Sequence, residues 1–352
     1  MSHSKKHPVR SLVINGLLIA LAFGLLGLAI WQNREQIEQV FARRIDFRLF
    51  AMAQVFYLAG ITLTFVRWYL LVKVIDDRFR LRDALLLSFI GNAFNLVIPG
   101  AVGGDFIKAA YLVRMNINRT QAVASMVIDR IIGLLGLFLL AGVAGFFAWP
   151  LATQPVRILI VLVWCAVFAG FATLFAIFNQ SLTRAFPSLL EGSSRRAGIL
   201  RELRIMSTTY RSRLPLIGAM LLVSSTIHFG FVTCFYIVSR AMFGAALPSF
   251  GSHLVIVPLL LFSTAVPLPF GALGLSEQIG SQLFSLVRHP GGALAMMGFR
   301  VLMYGGGLVS VAVYLSRLSQ VRELTDAAEE IEEEMIEGSL DDPHPGPSVT
   351  VE

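Results

Sequence analysis

Long uninterrupted runs of apolar residues recur along the chain, with short polar segments between them. A bilayer core about 30 Å thick requires about 20 apolar residues in each spanning helix. Six runs meet this length, at residues 11–31, 49–72, 121–148, 156–178, 214–239 and 293–316. The first run follows three basic residues, as a signal peptide does, but Ile30-Trp31-Gln32 ends it and no small-residue cleavage site follows. We therefore expect it to remain as a membrane anchor.

Two further apolar stretches, residues 83–118 and 252–288, are broken near the middle by Pro and Gly. Each break leaves two halves of about 15 residues, which are too short to span a bilayer comfortably. Irregular backbone at membrane depth is tolerated where protein or a cavity surrounds it, so we predict two re-entrant hairpins. The predicted fold is an all-α integral membrane protein with about six spanning helices and two hairpins, or about eight membrane segments.

The distribution of Lys and Arg is consistent with this topology, because cytoplasmic loops carry an excess of both residues. Two hairpins place three basic segments inside and two segments without Lys or Arg outside. The basic segments are the N-terminus with three Lys and Arg, 73–82 with four and 179–213 with seven, and the others are 149–155 and 241–251. The loop 32–48, with four Arg residues, is predicted outside and fits poorly. Two complete spans in the first stretch also keep the loop with seven positive residues inside, so charge leaves both arrangements open.

Six spans place both termini in the cytoplasm, in a multi-pass protein of a bacterial-type cell (inner) membrane. The first hairpin then enters from the cytoplasm and the second from the opposite face, so the two are inverted. Paired interrupted segments in two halves of a chain are typical of transporters whose site lies at the repeat interface. Two unrelated kinked helices are the alternative.

Composition supports the membrane class, since 56% of the residues are hydrophobic and 14% are charged. A soluble domain carries about a quarter charged residues. Residues 323–352 contain eleven of the 22 acidic residues and no Lys or Arg. The net charge of +7 is therefore the sum of +18 on residues 1–322 and −11 on residues 323–352. The positive charge therefore indicates membrane orientation, not a nucleic-acid partner. We divide the chain into a cytoplasmic N-terminus (1–10), a polytopic membrane domain (11–318) and an acidic, largely disordered cytoplasmic tail (319–352).

Charged side chains at membrane depth are costly, and each is therefore a functional candidate. Asp129 and Arg130 lie about 12 Å along their helix and point about 100° apart, so each needs a partner on another element. Charge suggests Lys108 for Asp129 and Glu277 for Arg130. Salt bridges that lock helices together are an equal alternative to a substrate role. Arg67 lies near a helix end, where snorkelling of its side chain explains it without a function.

Both breaks are followed by an expected helix start, with Asp105 and Ser276 as N-cap residues. A helix N-terminus inside the membrane suits a phosphate or carboxylate, and Lys108 adds a full positive charge one turn later. Arg300, with Tyr304 on the same face, is a second candidate for holding an anionic group. The predicted headgroup cavity is lined by Asn92, Asn95, Gly103, Gly104, Asp105, Lys108, Asp129, Arg130, Glu277, Arg300 and Tyr304.

Other chemistries lack a sequence signature. The chain has no Gly-x4-Gly-Lys-Ser/Thr phosphate loop, no Gly-x-Ser-x-Gly elbow and no His-Glu-x-x-His motif. Its two cysteines give no disulfide framework, and His228, His253 and His289 are not spaced as metal ligands. We expect no catalytic residue, no metal and no cofactor, and we expect membrane lipids as partners.

Three blocks of sequence resemble the lysylphosphatidylglycerol synthase transmembrane family. They are Gly91–Asp105 with Lys108–Leu112, then Val127–Leu135 with its Asp-Arg pair, and Pro267–Glu277 with Arg300 and Tyr304. The resemblance extends over about residues 11–318 and implies a flippase-like membrane domain. In two-domain members of the family this domain moves an aminoacylated phospholipid between leaflets.

The two-domain members also carry a soluble aminoacyl-transferase domain. Only an acidic segment of about 30 residues follows the last helix here, so we expect the chain to lack synthase activity. Lys108 stands where many relatives have Arg, which keeps the charge but removes the bidentate fork.

Three functions follow from these features. The first is a flippase or transporter for an anionic or aminoacylated phospholipid or a lipid-linked glycan. The second is a non-catalytic membrane partner of a lipid- or glycan-modifying enzyme, which binds through the acidic tail. The third is a lipid-modifying enzyme that uses Asp105, Asp129 and Glu277.

Overall fold

A computed structural model describes residues 8–42, 45–97, 103–179, 207–208, 210–211, 213–266 and 268–317. Throughout these residues the regular structure is helical, and no strand occurs. The main helices are α1 (Pro8–Gln32), α2 (Arg34–Ala42), α3 (Phe47–Lys73), α4 (Leu81–Val97), α5 (Gly103–Arg114), α6 (Arg119–Ala148), α7 (Gln154–Phe178), α8 (Leu214–Phe243), α9 (Phe250–Ser263), α10 (Leu275–Ser285) and α11 (Gly292–Leu315).

Five helices, α3, α6, α7, α8 and α11, are long and apolar enough to cross a membrane. The pair α1 and α2 makes a sixth span if it is counted as one element, with a bend of 67° between them. The six predicted apolar runs all fall in these helices. The chain is therefore an all-α, multi-pass membrane protein, as the apolar pattern predicts.

The segment 32–48 differs from its prediction as a simple connecting loop, because most of it forms helix α2. Asn33 lies at the bend and is buried, and its side-chain amide donates a hydrogen bond to the carbonyl of Ala29 (2.8 Å). Val40 of α2 is also buried. The buried Val40 and the hydrogen-bonded Asn33 both stabilise α2. Because α2 is rich in charged residues, its sequence did not indicate a membrane-associated helix.

Side chains that cap the backbone mark several helix starts. Asp46 accepts hydrogen bonds from the N–H groups of Arg48 (3.0 Å) and Leu49 (3.3 Å) ahead of α3. Asn118 caps α6 and Ser249 caps α9 in the same way. Each capping side chain accepts a hydrogen bond from a backbone N–H group that has no partner within the helix. The capping residues therefore favour these points of the chain as helix starts.

The first interrupted stretch forms two helices that pack against each other, α4 and α5. Their lengths, about 26 Å and 18 Å at 1.5 Å per residue, are both shorter than a bilayer core. The two backbones approach closely at Gly91 and Gly104, where a Cβ on Gly91 would lie 2.9 Å from the carbonyl oxygen of Gly104. Glycine at both positions is thus a requirement of the packing.

The second interrupted stretch contains α9 and α10, which also pack against each other. Ser263 donates a hydrogen bond to Ser276 across the break (2.9 Å). A short turn, Pro269–Ala272, separates the helices, and its Phe270 (φ 57°) and Ala272 (φ 55°) have left-handed backbone angles. Such angles are unfavourable for residues with a Cβ, so tertiary contacts must hold this turn.

The halves of the chain meet along two helix pairs. Helix α3 packs along α8, and α11 packs along α4. Helix α6 contacts α7, α8 and α9, and the turn Pro269–Ala272 lies against α4. Both hairpins therefore converge on a common interior. Large apolar side chains such as Phe147, Phe168 and Leu308 are exposed on the outside, as expected of a surface that faces lipid.

Candidate functional site

A cavity of about 350 Å³ lies in this interior. Residues of α3, α4, α5, α6, α8, α9 and α11 line it, so both halves of the chain contribute. The lining changes character along α6, from Arg130 through Gly133 to Leu134 and Leu137. This distance is about 10 Å at 1.5 Å per residue. One end of the cavity is charged and the other is apolar.

The charged end is organised around Asp105, in the first turn of α5. Its Oδ2 accepts hydrogen bonds from Arg130 Nη2 (2.7 Å) and Nε (3.1 Å). Lys108 Nζ lies 3.7 Å from Oδ1 and 4.7 Å from the centre of the Trp68 ring. The Arg130 side chain is 47% exposed, compared with 14% for Lys108. Two cations thus share one carboxylate, and Arg130 is accessible from the cavity.

Helix α4 presents a polar stripe to the same cavity, formed by Ser88, Asn92 and Asn95. Asn95 Oδ1 accepts a hydrogen bond from the N–H of Gly104 (2.9 Å), and Asn92 Nδ2 donates to Ser310 Oγ (2.9 Å). Asn95 therefore joins the two halves of the first hairpin, while Asn92 joins this hairpin to α11.

Asp129 lies at the edge of the cavity, where it pairs with Arg67 and not with Lys108. Arg67 donates to Oδ1 through Nε (2.8 Å) and to Oδ2 through Nη2 (3.1 Å). Arg67 Nη1 also donates to Ser224 Oγ (2.9 Å), which connects α3, α6 and α8. The predicted partner of Asp129 is wrong, and so is the snorkelling interpretation of Arg67. The guanidinium is buried because it bonds to groups on two other helices.

Glu277 and Arg300 pair with each other outside the cavity lining, at 2.6 Å between Oε1 and Nε. Both side chains are buried. Arg300 Nη1 also donates to the carbonyls of Phe270 (2.7 Å) and Gly271 (3.2 Å). The predicted pair Glu277–Arg130 is therefore wrong. The donors of Arg300 stabilise the left-handed turn, and Tyr304, one turn later, likewise lies outside the lining.

The helix starts differ from their predictions in the same way. Asp105 is the third residue of α5, and Ser276 is the second of α10, whose N-cap is Gly274. The N–H of Gly274 donates a hydrogen bond to Glu277 Oε2 (2.7 Å). The N–H of Gly104 likewise donates to the side chain of Asn95. Side chains of the protein thus occupy donors that we expected to face an anion. Lys108 and Arg130 are cationic groups at the charged end of the cavity.

The two halves repeat one arrangement. The sequence Gly100-Ala101-Val102-Gly103 leads into α5, which begins at its last glycine, and the similar sequence Gly271-Ala272-Leu273-Gly274 directly precedes α10. The third residue of each helix is a carboxylate that pairs with an Arg on the next long helix. The pair Asp105–Arg130 is open to the cavity, whereas Glu277–Arg300 is enclosed. This correspondence supports the predicted internal repeat and shows where its halves differ.

Comparison with known families agrees with the architecture. The family described as the lysylphosphatidylglycerol synthase TM region matches residues 13–310. The chain belongs to this family. Membership relates it to membrane proteins of lipid modification or translocation. No curated protein and no solved structure matches the chain.

In this member of the lysylphosphatidylglycerol synthase transmembrane family, the cavity lining includes residues that the predicted site left out, and four of them carry polar groups on α3, α4 and α8. They are Arg67, Trp68, Ser88 and His228. His228 stands at the middle of α8, a 30-residue apolar helix. A polar residue in the middle of an apolar helix is itself a signal of a specific contact, although His228 has no metal-ligand spacing. In the part of the chain that the structure describes, no group of three His, Cys, Asp or Glu side chains is placed to hold a metal ion.

Proposed function

We propose that this protein moves lipids with an anionic headgroup between the leaflets of a cell (inner) membrane. The substrate class is an anionic or aminoacylated phospholipid or a lipid-linked glycan. The single observation that carries the proposal is the cavity with one charged and one apolar end. Its lining includes three cations, Arg67, Lys108 and Arg130, and two carboxylates, Asp105 and Asp129, for a formal charge of +1.

The size and shape of the cavity suit a headgroup. A volume of about 350 Å³ is at the lower end of the range for small-ligand pockets, about 300–1,000 Å³. The acyl or prenyl chains would stay in lipid and leave from the apolar end, beside Leu134 and Leu137. A phosphate at the charged end would compete with Asp105 for Arg130 and Lys108. Arg130 and Lys108 pair with Asp105 when no headgroup is bound and with the phosphate when one is bound. Neither cation is therefore left buried without a negative partner when the headgroup binds or leaves.

The proposed transport equilibrates the lipid or follows a gradient, since the sequence has no nucleotide phosphate loop. The lipid is carried without chemical change. The three carboxylates of the enzyme hypothesis all lie within ion-pair distance of Arg or Lys side chains, which gives them a structural role. The scaffold hypothesis rests on residues 319–352, which lie outside the described residues.

Leaflet exchange in proteoliposomes tests the proposal. The purified full-length protein is reconstituted with phosphatidylglycerol that carries a fluorescent acyl chain, and a membrane-impermeant quencher reports the outer-leaflet fraction over time. We expect exchange above protein-free vesicles. Arg130→Gln is expected to reduce the rate about tenfold, because a hydrogen bond to a charged group contributes about 1.5–3 kcal/mol.

Arg240→Gln is the matched control, since Arg240 is exposed at the end of α8 and does not line the cavity. It should exchange lipid at the wild-type rate. No exchange above empty vesicles across phosphatidylglycerol, an aminoacylated phospholipid and a prenyl-linked glycan would overturn the proposal. Truncation after residue 322 should preserve exchange, whereas a scaffold would lose a bound enzyme in a pull-down.

A further inference from the structure

Basic residues surround several helix ends on one side of the molecule. They lie next to the C-terminal ends of α3, α5 and α11 and the N-terminal ends of α4, α6 and α8. Seven of these nine cations are exposed. Three aspartates, Asp76, Asp77 and Asp83, lie among them, so the local net charge is +6. We call the nine cations the basic patch: Lys73, Arg78, Arg80, Arg82, Arg114, Arg119, Arg211, Arg213 and Arg317.

Packing places the segments of the basic patch on one surface. Phe79 and Ile117 belong to a single buried cluster with Trp68 of α3. The loop after α3 and the loop after α5 therefore pack against the same part of α3. The Tyr210 hydroxyl donates a hydrogen bond to the carbonyl of Leu71 (3.3 Å), which brings the start of α8 beside the end of α3.

Helix α11 ends on this surface because it runs parallel to α3. A Cβ on Gly298 would lie 3.6 Å from the Phe50 ring, and a Cβ on Gly306 would lie 2.8 Å from the Tyr57 ring. The contacts advance together along both helices, so both helices run in the same direction. Packed helices lie about 8–10 Å apart. The chain therefore leaves α11 close to Lys73.

The chain that follows α11 is strongly acidic. Residues 323–352 contain eleven Asp and Glu and no Lys or Arg, and five of the six residues 329–334 are Glu. Residue 329 follows Arg317 by twelve positions, so it lies at most about 40 Å from it. Membrane orientation accounts for Lys and Arg at this end, but acidic residues contribute little to orientation. A surface of opposite charge thus lies within reach of an acidic segment that orientation does not explain.

We propose that the acidic segment 323–352 docks on the basic patch of its own chain. A single exposed ion pair contributes little, but a run of Glu residues forms several pairs at once. A short tether also gives an effective concentration of about millimolar. Docking provides the acidic segment with an intramolecular partner in place of the second protein of the scaffold hypothesis. It also shields the basic patch from anionic lipid headgroups. This interaction goes beyond the proposed function and does not depend on it.

Carbodiimide cross-linking of the full-length protein in lipid nanodiscs tests the proposal. The reagent joins a lysine amine to a carboxylate that it contacts. The chain has four lysines: Lys5, Lys6, Lys73 and Lys108. Trypsin does not cut within residues 323–352, so mass spectrometry identifies which lysine is joined to this segment. We expect Lys73 to be joined to Glu329–Glu334, both in phosphatidylcholine and in phosphatidylglycerol. The link between Lys108 and Asp105, which lie 3.7 Å apart, is the internal reference.

Salt and charge-neutralising variants measure the electrostatic contribution. Raising the salt from about 0.1 M to about 1 M shortens the screening length from about 10 Å to about 3 Å, so the Lys73 link should fall about fivefold relative to the reference. The variant Arg78→Gln with Arg80→Gln and Arg82→Gln keeps Lys73 as the reporter. It should reduce the link about tenfold, because it removes three of the pairing groups.

The matched control neutralises three exposed arginines at the opposite end of the molecule. It combines Arg48→Gln at the start of α3, Arg240→Gln at the end of α8 and Arg288→Gln between α10 and α11. The N–H of Asp46 donates to the carbonyl of Ala241 (3.2 Å), which places the first two sites side by side. This variant should form the Lys73 link as the wild type does.

Several outcomes would overturn the proposal. One is the absence of the Lys73 link in both bilayers while the Lys108 link forms. Another is its loss in phosphatidylglycerol alone, because anionic lipid then occupies the basic patch. A link to Lys5 or Lys6 as abundant as the link to Lys73, or a Lys73 link that does not respond to salt, would also reject docking on the patch. Leaflet exchange without a Lys73 link would reject docking and retain the proposed function. The salt response of the wild type decides the matter even where the triple variant does not fold.

Discussion

At the scale of single residues, the arginines that form ion pairs between helices in the described part of the chain differ in burial. Arg67 and Arg300 are buried, and each bonds a carboxylate with two nitrogens and other groups with its remaining nitrogen. Arg130 also pairs with a carboxylate, but nearly half of its side chain is exposed. A charged side chain inside the membrane is tolerated when neighbouring helices supply groups that pair with it. Burial thus distinguishes Arg67 and Arg300, which have a structural role, from Arg130, which a ligand in the cavity can reach.

Removal of one partner of the Arg67–Asp129 pair should destabilise the fold. We expect Arg67→Ala to lower the unfolding free energy by about 3–5 kcal/mol, because Asp129 is left with a largely buried, uncompensated charge. Thermal unfolding in detergent measures the effect. The double variant Arg67→Met with Asp129→Leu should recover most of the loss.

Arg78→Ala is the control for this measurement. Arg78 pairs with Asp76 in a turn, and its side chain is 86% exposed. Surface pairs contribute little because water screens them, so we expect the midpoint to change little. Equal destabilisation by Arg67→Ala and Arg78→Ala would contradict the structural role assigned to Arg67.

At the scale of elements, each interrupted stretch replaces a spanning helix by two short helices joined through specific contacts. The first hairpin uses the approach of Gly91 to Gly104 and the amide of Asn95. The second uses the serine pair across its break and the bonds from Arg300 to the turn. Backbone polar groups freed at each break need partners in an apolar environment. Side chains from neighbouring elements supply them.

Gly91→Ala tests the contact within the first hairpin. The added Cβ would lie 2.9 Å from a backbone oxygen of Gly104, so α4 and α5 must separate. We expect a loss of about 1–3 kcal/mol in stability, as for overpacked cores, and slower leaflet exchange. Thermal unfolding and the proteoliposome assay measure the two effects.

Gly24→Ala is the matched control, because a Cβ there has no atom within 4 Å. Alanine has a higher helix propensity than glycine, so the unfolding midpoint should not fall. A Gly91→Ala variant as stable and active as Gly24→Ala would show that the close approach of α4 and α5 is not required.

At the scale of the whole molecule, the cavity exists only because the two halves face each other. Its charged end comes from α5 and α6, while α8, α9 and α11 supply much of its apolar lining. The Asn92–Ser310 hydrogen bond joins the halves beside it. The proposed movement of a headgroup across the membrane would require this interface to rearrange, as in transporters built from inverted repeats.

A cross-link between the halves should therefore stop transport. In a background with Cys165→Ser and Cys234→Ala, we expect the variant Asn92→Cys with Ser310→Cys to lose lipid exchange when a short bis-methanethiosulfonate reagent joins the two cysteines through disulfide bonds. Reductant should restore the rate measured before cross-linking. Single-cysteine variants treated in the same way should remain active. Full exchange in the cross-linked protein would argue against rearrangement at this interface.

The membrane topology is a second property of the whole molecule. Counting α1 with α2 as one span gives six spans, which places both termini on the same side, and the positive-inside rule predicts the cytoplasm. Reporter fusions that fluoresce only in the cytoplasm should be active after residue 322 and inactive after residue 246, between α8 and α9. Fluorescence after residue 246 and none after residue 322 would show that the topology is the reverse of the predicted one.

The sequence by itself determined the class of fold, the position of each long helix and the two breaks. These features follow from local physics. A bilayer requires about 20 apolar residues per span, and Pro and Gly interrupt a helix wherever they fall. The blocks around Asp105, Asp129 and Glu277 also sufficed to indicate the family.

Only the tertiary structure decided which charges meet and which of them face the cavity. Asp129 and Arg130 are adjacent, yet they bond to Arg67 on α3 and Asp105 on α5, because successive helical residues point about 100° apart. The sequence contains no information on which helix lies on each side. Partner choice is a property of packing, and packing joins residues that are distant in the chain.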